Sequence, residues 1–104
     1  MPQTILSPSV PALSNELLCF AIQQGVAECV EPVLHMTRRV FPDSPVTARL
    51  ESDPEISNYR QIVVEINASG MDDGQLLAAQ NRWSDQLFQI CPATHALNFR
   101  LSFA

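Results

Sequence analysis

The chain has 104 residues, of which 46% are hydrophobic, 16% are charged and 7% are aromatic, and its formal net charge is −5. This length fits one domain of ordinary size, and the apolar fraction together with the low charge fraction excludes a disordered chain. Acidic residues outnumber basic ones by eleven to six. The composition therefore argues against nucleic acid and against an anionic membrane surface as partners.

Arginine supplies all six of the basic residues, so the Schiff-base and P-loop chemistry that requires lysine is excluded. The chain has three cysteines, an odd number, at irregular spacing, which is not the pattern of a disulfide framework. The first residues lack the charged start and apolar run of a secretory leader, and no apolar stretch reaches the ~20 residues of a membrane helix. We expect a cytoplasmic protein with reduced thiols.

The N-terminal residues 1–13 form the first segment, in which Pro2, Pro8 and Pro11 argue against a helix. We expect a flexible Pro/Ser-rich tail here, followed by a single α+β domain over residues 14–104. An alternative is that residues 3–6 form a short edge strand.

A first helix is predicted over residues 15–24. Ser14 or Asn15 supplies the N-cap oxygen, and Gly25 suits the left-handed position after the last turn. The predicted apolar stripe of this helix consists of Leu17, Leu18, Ala21 and Ile22.

A second helix is predicted over residues 27–40 and ends before Pro42. Pro32 predicts an interruption, so that the regular helix begins near Glu31, where a proline is tolerated in the first turn. The expected apolar face consists of Val33, Leu34, Thr37, Val40 and Phe41.

Two strands follow, over residues 46–51 and 59–68, and are joined by a turn-rich segment. Both alternate apolar and polar residues, which is typical of half-buried strands, and they most simply pair as an antiparallel hairpin. The inward face is expected to carry Val46, Ala48, Leu50, Ile62, Val64 and Ile66.

A third helix is predicted over residues 73–91, capped by Asp72 or Asp73. Its predicted stripe consists of Leu76, Gln80, Trp83, Leu87 and Ile90, with Leu77, Phe88 and Cys91 beside it. Trp83 is expected to be the largest core residue, although stacking on a ligand is an alternative. The last strand, over residues 97–103, turns Leu97, Phe99, Leu101 and Phe103 to one face.

The predicted fold is therefore α+β and two-layered, with a three-stranded sheet, helices packed on one face and the order α-α-β-β-α-β. The helix between the second and third strands permits a crossover to a parallel neighbour. A ferredoxin-like fold is the alternative if residues 3–6 form a strand.

The chain combines a Phe-Pro helix end at Phe41–Pro42, an Asp-Pro-Glu turn at Asp53–Glu55, an aromatic residue in the third helix at Trp83, and a closing Arg-Leu-Ser-Phe strand at Arg100–Phe103. In these features it resembles a family of short bacterial α+β proteins of uncharacterised function. The resemblance implies a compact α+β domain and brings no activity with it.

The Asp53-Pro54-Glu55 segment is the sharpest local motif. Asp-Pro starts a type I turn, because proline presets φ and the aspartate side chain bonds back to the backbone. A functional alternative is that Glu51, Asp53 and Glu55 converge on a cation or act as an acid and a base.

Cys91 and His95 have the residue types of a nucleophile and base or of metal ligands, to which Cys29 and His35 could be added. No CxxC or HxxxH spacing is present, and Pro92 prevents helical geometry between Cys91 and His95. We expect core thiols and loop or surface imidazoles, with no catalytic residue, no metal site and no cofactor.

The outer face of the sheet is the remaining candidate site. Arg49, Glu51, Glu65 and Arg100 could bind an anionic group or a partner there, or could form ordinary cross-strand ion pairs. The face is expected to carry Thr47, Arg49, Glu51, Gln61, Val63, Glu65, Asn67, Asn98, Arg100 and Ser102.

These observations favour a non-catalytic protein-interaction domain that binds a protein partner or itself, because a small sheet has exposed edges that pair readily. The alternative is a small ligand-binding or enzymatic domain that uses the Arg/Glu-bearing sheet face.

Overall fold

A computed structural model describes residues 13–52, 55–56 and 59–103. These residues form four helices and one sheet, in the predicted order with a short helix added before the last strand. In chain order the elements are α1 Asn15–Gln23, α2 Ala27–Val40, β1 Val46–Ser52, β2 Arg60–Ile66, α3 Asp73–Ile90, α4 Ala93–Ala96 and β3 Phe99–Phe103.

The sheet has the order β1-β2-β3 and confirms the predicted α+β fold. β1 and β2 form the expected antiparallel hairpin, with Val46 opposite Ile66 and Leu50 opposite Ile62. The chain then crosses through α3 and α4, so that β3 pairs with β2 in parallel. A parallel pair requires such a crossover, which accounts for the position of the longest helix.

One hydrophobic core lies between the inner face of the sheet and the helices. The strands contribute Val46, Ile62, Val64, Ile66 and Phe99, all at most 6% exposed. Trp83 is also buried, as predicted, and the helices supply most of the remaining core residues.

The buried stripe of α1 differs from the prediction. Leu17, Phe20 and Ala21 are buried, whereas Leu18 and Ile22 are 38% and 68% exposed. The buried set follows the i, i+3, i+4 spacing of a single helix face, and the two exposed residues lie about 100° further round the helix. Ser14 is the N-cap and accepts a hydrogen bond from the Leu17 N–H.

The predicted interruption at Pro32 is wrong, because α2 is continuous from Ala27. A proline inside a helix leaves the carbonyl four residues earlier without its N–H partner. Here both Pro32 and Glu28 lie on the exposed side of α2, so water can reach that carbonyl.

The predicted stripe of α3 needs two corrections. Ala79 is buried and Gln80 is exposed, because Ala79 stands three residues after Leu76 and four before Trp83 on one face. Leu77 and Phe88, expected beside the core, are more than half exposed. Asp72 caps this helix in a reciprocal pair with Gln75.

The last strand is shorter than predicted because a turn at residues 97–98, directly after α4, occupies its expected start. Leu97 lies in that turn and is 68% exposed, so it does not share the face of the strand. Of the other three apolar residues on that face, Phe99 is buried, while Leu101 and Phe103 are half-buried.

Several expectations fall outside the described residues. The tail 1–12, the strand proposed for residues 3–6 and Asp53–Pro54 of the Asp-Pro-Glu motif are among them. Among the described helices, none is by itself long and apolar enough to cross a membrane, although α1 and α2 together meet that length and composition with a 119° bend between them.

Candidate functional site

The four site residues predicted from the sequence meet on the outer face of the sheet. Strand register places Arg49 of β1 opposite Val63 of β2, and Val63 opposite Arg100 of β3. The two arginines therefore flank one central valine. Glu51 follows Arg49 by two residues on β1, and Glu65 follows Val63 by two residues on β2. Because these strands are antiparallel, the two glutamates lie on opposite sides of the row formed by Arg49, Val63 and Arg100.

These four side chains bind one another. Arg49 donates to Glu51 at 3.0 Å and also forms an ion pair with Glu65. Arg100 reaches across β2 to the other oxygen of Glu51 at 2.5 Å. Glu51 thus bridges the two arginines, and two positive charges are balanced by two negative charges.

Val63 is fully buried, although the alternation of β2 predicts it on the solvent face. It is not part of the main core cluster. The arginines on both sides of it supply long aliphatic stems, which can cover an apolar side chain while the charged ends stay in water. The register therefore sets Val63 between the two arginines of the ion-pair network.

The carboxylates of this network act on the pKa of Arg49. The hydrogen bond that Arg49 donates to Glu51, helped by the charges of Glu65 and Glu51, raises the pKa of Arg49 above its ordinary value despite some desolvation. Arginine with a raised pKa stays protonated at any ordinary pH and so does not transfer protons. What the face offers chemically is charge and hydrogen-bond donors, with side chains 29–45% exposed.

A second feature of this region is the outer edge of β3, which no described strand covers and which the sequence predicted only in general terms. The Ile62 N–H donates to the Asn98 carbonyl at 2.7 Å, and Ile62 is opposite Phe99 in the register. In a parallel ladder alternate residues turn both backbone groups to the same neighbour. Phe99, Leu101 and Phe103 therefore turn their N–H and C=O groups away from β2, and no described strand pairs with them.

The cysteine and histidine candidates are only partly brought together. Cys29 and Cys91 are buried and their Sγ atoms lie 2.7 Å apart. His35 is exposed on α2, and His95 lies beside Gly25, with its Nε2 3.8 Å from the place of a Cβ on that glycine. Within the described ranges no group of three or more such side chains is placed to hold a metal ion.

A groove of about 610 Å³ was not predicted from the sequence. It lies between the end of α2 and the first half of α3, and its charged lining residues are Asp43 and Arg82. The Ser44 hydroxyl in its wall already donates to the Asn67 carbonyl. Pro42 and Gly70 lie in turns that line the groove, and these two turn residues were the only indication of it in the sequence.

No family model, no curated protein and no solved structure matches this chain. The resemblance to short bacterial proteins therefore stays a prediction, and a functional proposal depends on the geometry of the sheet face and edge.

Proposed function

We propose that this chain is a non-catalytic protein-interaction domain of the cytoplasm that associates with a second copy of itself through the outer edge of β3. The observation that carries the proposal is the orientation of the backbone at Phe99, Leu101 and Phe103, whose hydrogen-bonding groups point away from β2. Exposed strand edges of this kind pair readily with another strand. The free thiols are in keeping with a reducing compartment.

The side chains of β3 support the same surface. Leu101 and Phe103 face the helical layer but are only half-buried, so apolar surface remains at this edge. An added strand would cover part of that surface as well as pairing the backbone groups.

The register of the proposed dimer follows from the strand. In an antiparallel pair of β3 strands centred on Leu101, the strands hydrogen-bond to each other only through residues whose backbone groups point away from β2. A two-fold axis at Leu101 then relates the two copies, as a symmetric dimer requires. Phe99 then lies opposite Phe103 of the second copy, and Arg100 lies opposite Ser102 of the second copy. The result is a continuous six-stranded sheet.

Light scattering from about 1 to about 500 µM tests the proposal on the wild-type chain and on two matched variants, Ser102→Lys and Ser102→Glu. The proposed dimer contains two contacts between residue 102 of one copy and Arg100 of the other. Lysine at position 102 repels Arg100 in both contacts, whereas glutamate forms an ion pair with it in both. We expect Ser102→Lys to weaken the dimer and Ser102→Glu to strengthen it, each by roughly 2- to 30-fold in Kd.

The same pair of variants separates association from folding. Within one chain Ser102 is opposite Glu65, so lysine there favours the monomer fold and glutamate disfavours it, the reverse of their effects on the dimer. Thermal unfolding of dilute protein records the effect on the monomer. A chain that stays monomeric at the highest concentration, or variants that shift Kd in the same direction, would overturn the proposal.

A second proposal is that the Arg/Glu-bearing face binds an anionic ligand, since Arg49 and Arg100 lie on either side of Val63 with 44% and 45% of their side chains exposed. Such a ligand must displace Glu51 from both arginines. The test measures the binding of inorganic phosphate or a dicarboxylate to wild type and to Arg100→Ala. We expect Arg100→Ala to abolish binding with little change in Tm. An equal loss of binding and of stability would show that Arg100 has a structural role.

A further inference from the structure

Two buried cysteines from distant parts of the chain meet in the core. Cys29 lies in the first turn of α2, and Cys91 is the residue that ends α3. They are 62 residues apart in the sequence, and their sulfur atoms are 2.7 Å apart. Both are free thiols, and neither lies on β3 or on the outer face of the sheet.

We propose that Cys29 and Cys91 are a redox-active dithiol, which a small-molecule disulfide of the glutathione type converts into an intramolecular disulfide. The geometry supplies what this chemistry requires, a second thiol within reach of the first, because the two sulfur atoms are 2.7 Å apart and a disulfide bond joins sulfur atoms at about 2.05 Å. Redox-sensing pairs of this kind are the usual exception to the absence of disulfides in reducing compartments.

The order of the two steps follows from access. Cys29 is 9% exposed and Cys91 is 1% exposed, so an oxidant from solution meets Cys29 first. Burial, with the hydrogen bond to Cys29, raises the pKa of Cys91 to about 12, so Cys91 is the poorer first nucleophile at neutral pH.

In the first step Cys29 loses its proton to solvent and its sulfur attacks the reagent disulfide, which releases one reagent thiol and leaves a mixed disulfide on Cys29. In the second step Cys91 loses its proton and its sulfur attacks Cys29 Sγ, which releases the second reagent thiol. The protein loses two protons and two electrons, and one reagent disulfide is reduced to two thiols.

The bridge ties the start of α2 to the end of α3. It closes a loop that contains both strands of the hairpin and the whole of α3, so it removes much of the freedom of the unfolded chain. Oxidation should therefore stabilise the fold, and reduction should reverse the effect.

The experiment uses the full chain with Cys19→Ser, because Cys19 is exposed on α1 and would otherwise form bridges between molecules. The protein is incubated with excess oxidised glutathione, and the free thiols are counted after denaturation. We expect both remaining thiols to disappear with a mass loss of two hydrogens and no retained glutathione, and Tm to rise by about 10 °C or more. Dithiothreitol should restore the starting Tm.

A second variant, Cys19→Ser/Cys29→Ala, tests the order of attack. With Cys29 absent, the buried Cys91 should keep its thiol and take up no glutathione while the protein is folded. Two persistent thiols in Cys19→Ser, or a glutathione adduct that Cys91 fails to displace, would overturn the dithiol, and rapid modification of Cys91 in the second variant would overturn the proposed order. Because β3 is untouched, these results are independent of the oligomeric state.

Discussion

The indole Nε1–H of Trp83 donates a hydrogen bond of 2.8 Å to Oγ1 of Thr37, and this bond joins α3 to α2 inside the core. The Thr37 hydroxyl in turn donates to the Val33 carbonyl at 2.7 Å. Among the described residues, Thr37 is the only polar one in the buried set. The bond therefore satisfies both the indole donor and the threonine acceptor inside the core, and it joins α3 to α2 at a fixed point.

Replacing Thr37 with valine should lower the free energy of unfolding by about 1–3 kcal/mol, because the shape is kept while the buried indole N–H loses its acceptor. Urea unfolding measures the change. Trp83→Phe removes the donor instead, so the double variant should lose less than the sum of the two single variants. Strictly additive losses would show that the two groups do not interact.

Much of the fold was accessible from local sequence patterns. The two-residue alternation of β1 and β2 correctly predicts that Val46, Ile62, Val64 and Ile66 face the core, because side chains in a strand point to opposite faces in turn. The helix faces were predicted less well. Leu18 and Phe20 are both apolar residues in α1, and only the position of its neighbours decides that Phe20 is buried and Leu18 exposed.

The candidate site was likewise predictable only in part from local sequence patterns. The strand pattern placed Arg49, Glu51, Glu65 and Arg100 on one face, since each stands on the outward-facing side of its strand. The burial of Val63 was not predictable from β2 alone, whose alternation puts this residue on the outer face between the arginines of β1 and β3. The contact of Cys29 with Cys91 was equally inaccessible, because no local periodicity relates residues 62 positions apart.

The bridging glutamate of the outer face provides a second test. Glu51→Gln keeps the shape of the side chain and weakens both arginine contacts, yet the pairs are partly exposed, so the loss of stability should stay below ~1 kcal/mol. The difference from wild type should shrink further in about 1 M NaCl, which screens exposed charges.

Asp85→Asn is the matched control for Glu51→Gln, because it makes the same change of net charge at an exposed residue of α3 to which the described residues give no ion pair. It should change stability less than Glu51→Gln at low salt. A loss of several kcal/mol for Glu51→Gln would contradict the view that the network is a partly solvated one.

The two phenylalanines of β3 should differ in what they contribute. Phe99 is 6% exposed in the main core, so Phe99→Ala should lower the free energy of unfolding by about 3–5 kcal/mol. Phe103 is half-buried and meets Phe41 edge-on with 6.2 Å between ring centroids, so Phe103→Ala should cost clearly less. Chemical unfolding at low micromolar concentration measures both without a contribution from association, and equal losses would contradict the described burial.

Burial of the Cys91 thiol makes the free energy of unfolding depend on pH in the alkaline range. Its pKa is raised from 9.0 to about 12 in the folded chain, chiefly by desolvation and then by the hydrogen bond to Cys29. Below pH 9 the thiol is protonated in both states and its contribution is fully present. Above pH 9 the unfolded chain loses this proton first, so the free energy of unfolding falls as pH rises towards about 12.

The fall in the free energy of unfolding attributable to Cys91 should be about 2 kcal/mol between about pH 8 and about pH 10.5. Urea unfolding in a phosphine reductant, which keeps all thiols reduced, measures it as the difference between wild type and Cys91→Ala at each pH. Cys19→Ala, which removes an exposed thiol in place of a buried one, is the matched control variant. A wild-type curve parallel to that of Cys91→Ala across this window would show that the Cys91 thiol ionises as readily in the folded chain as in the unfolded one.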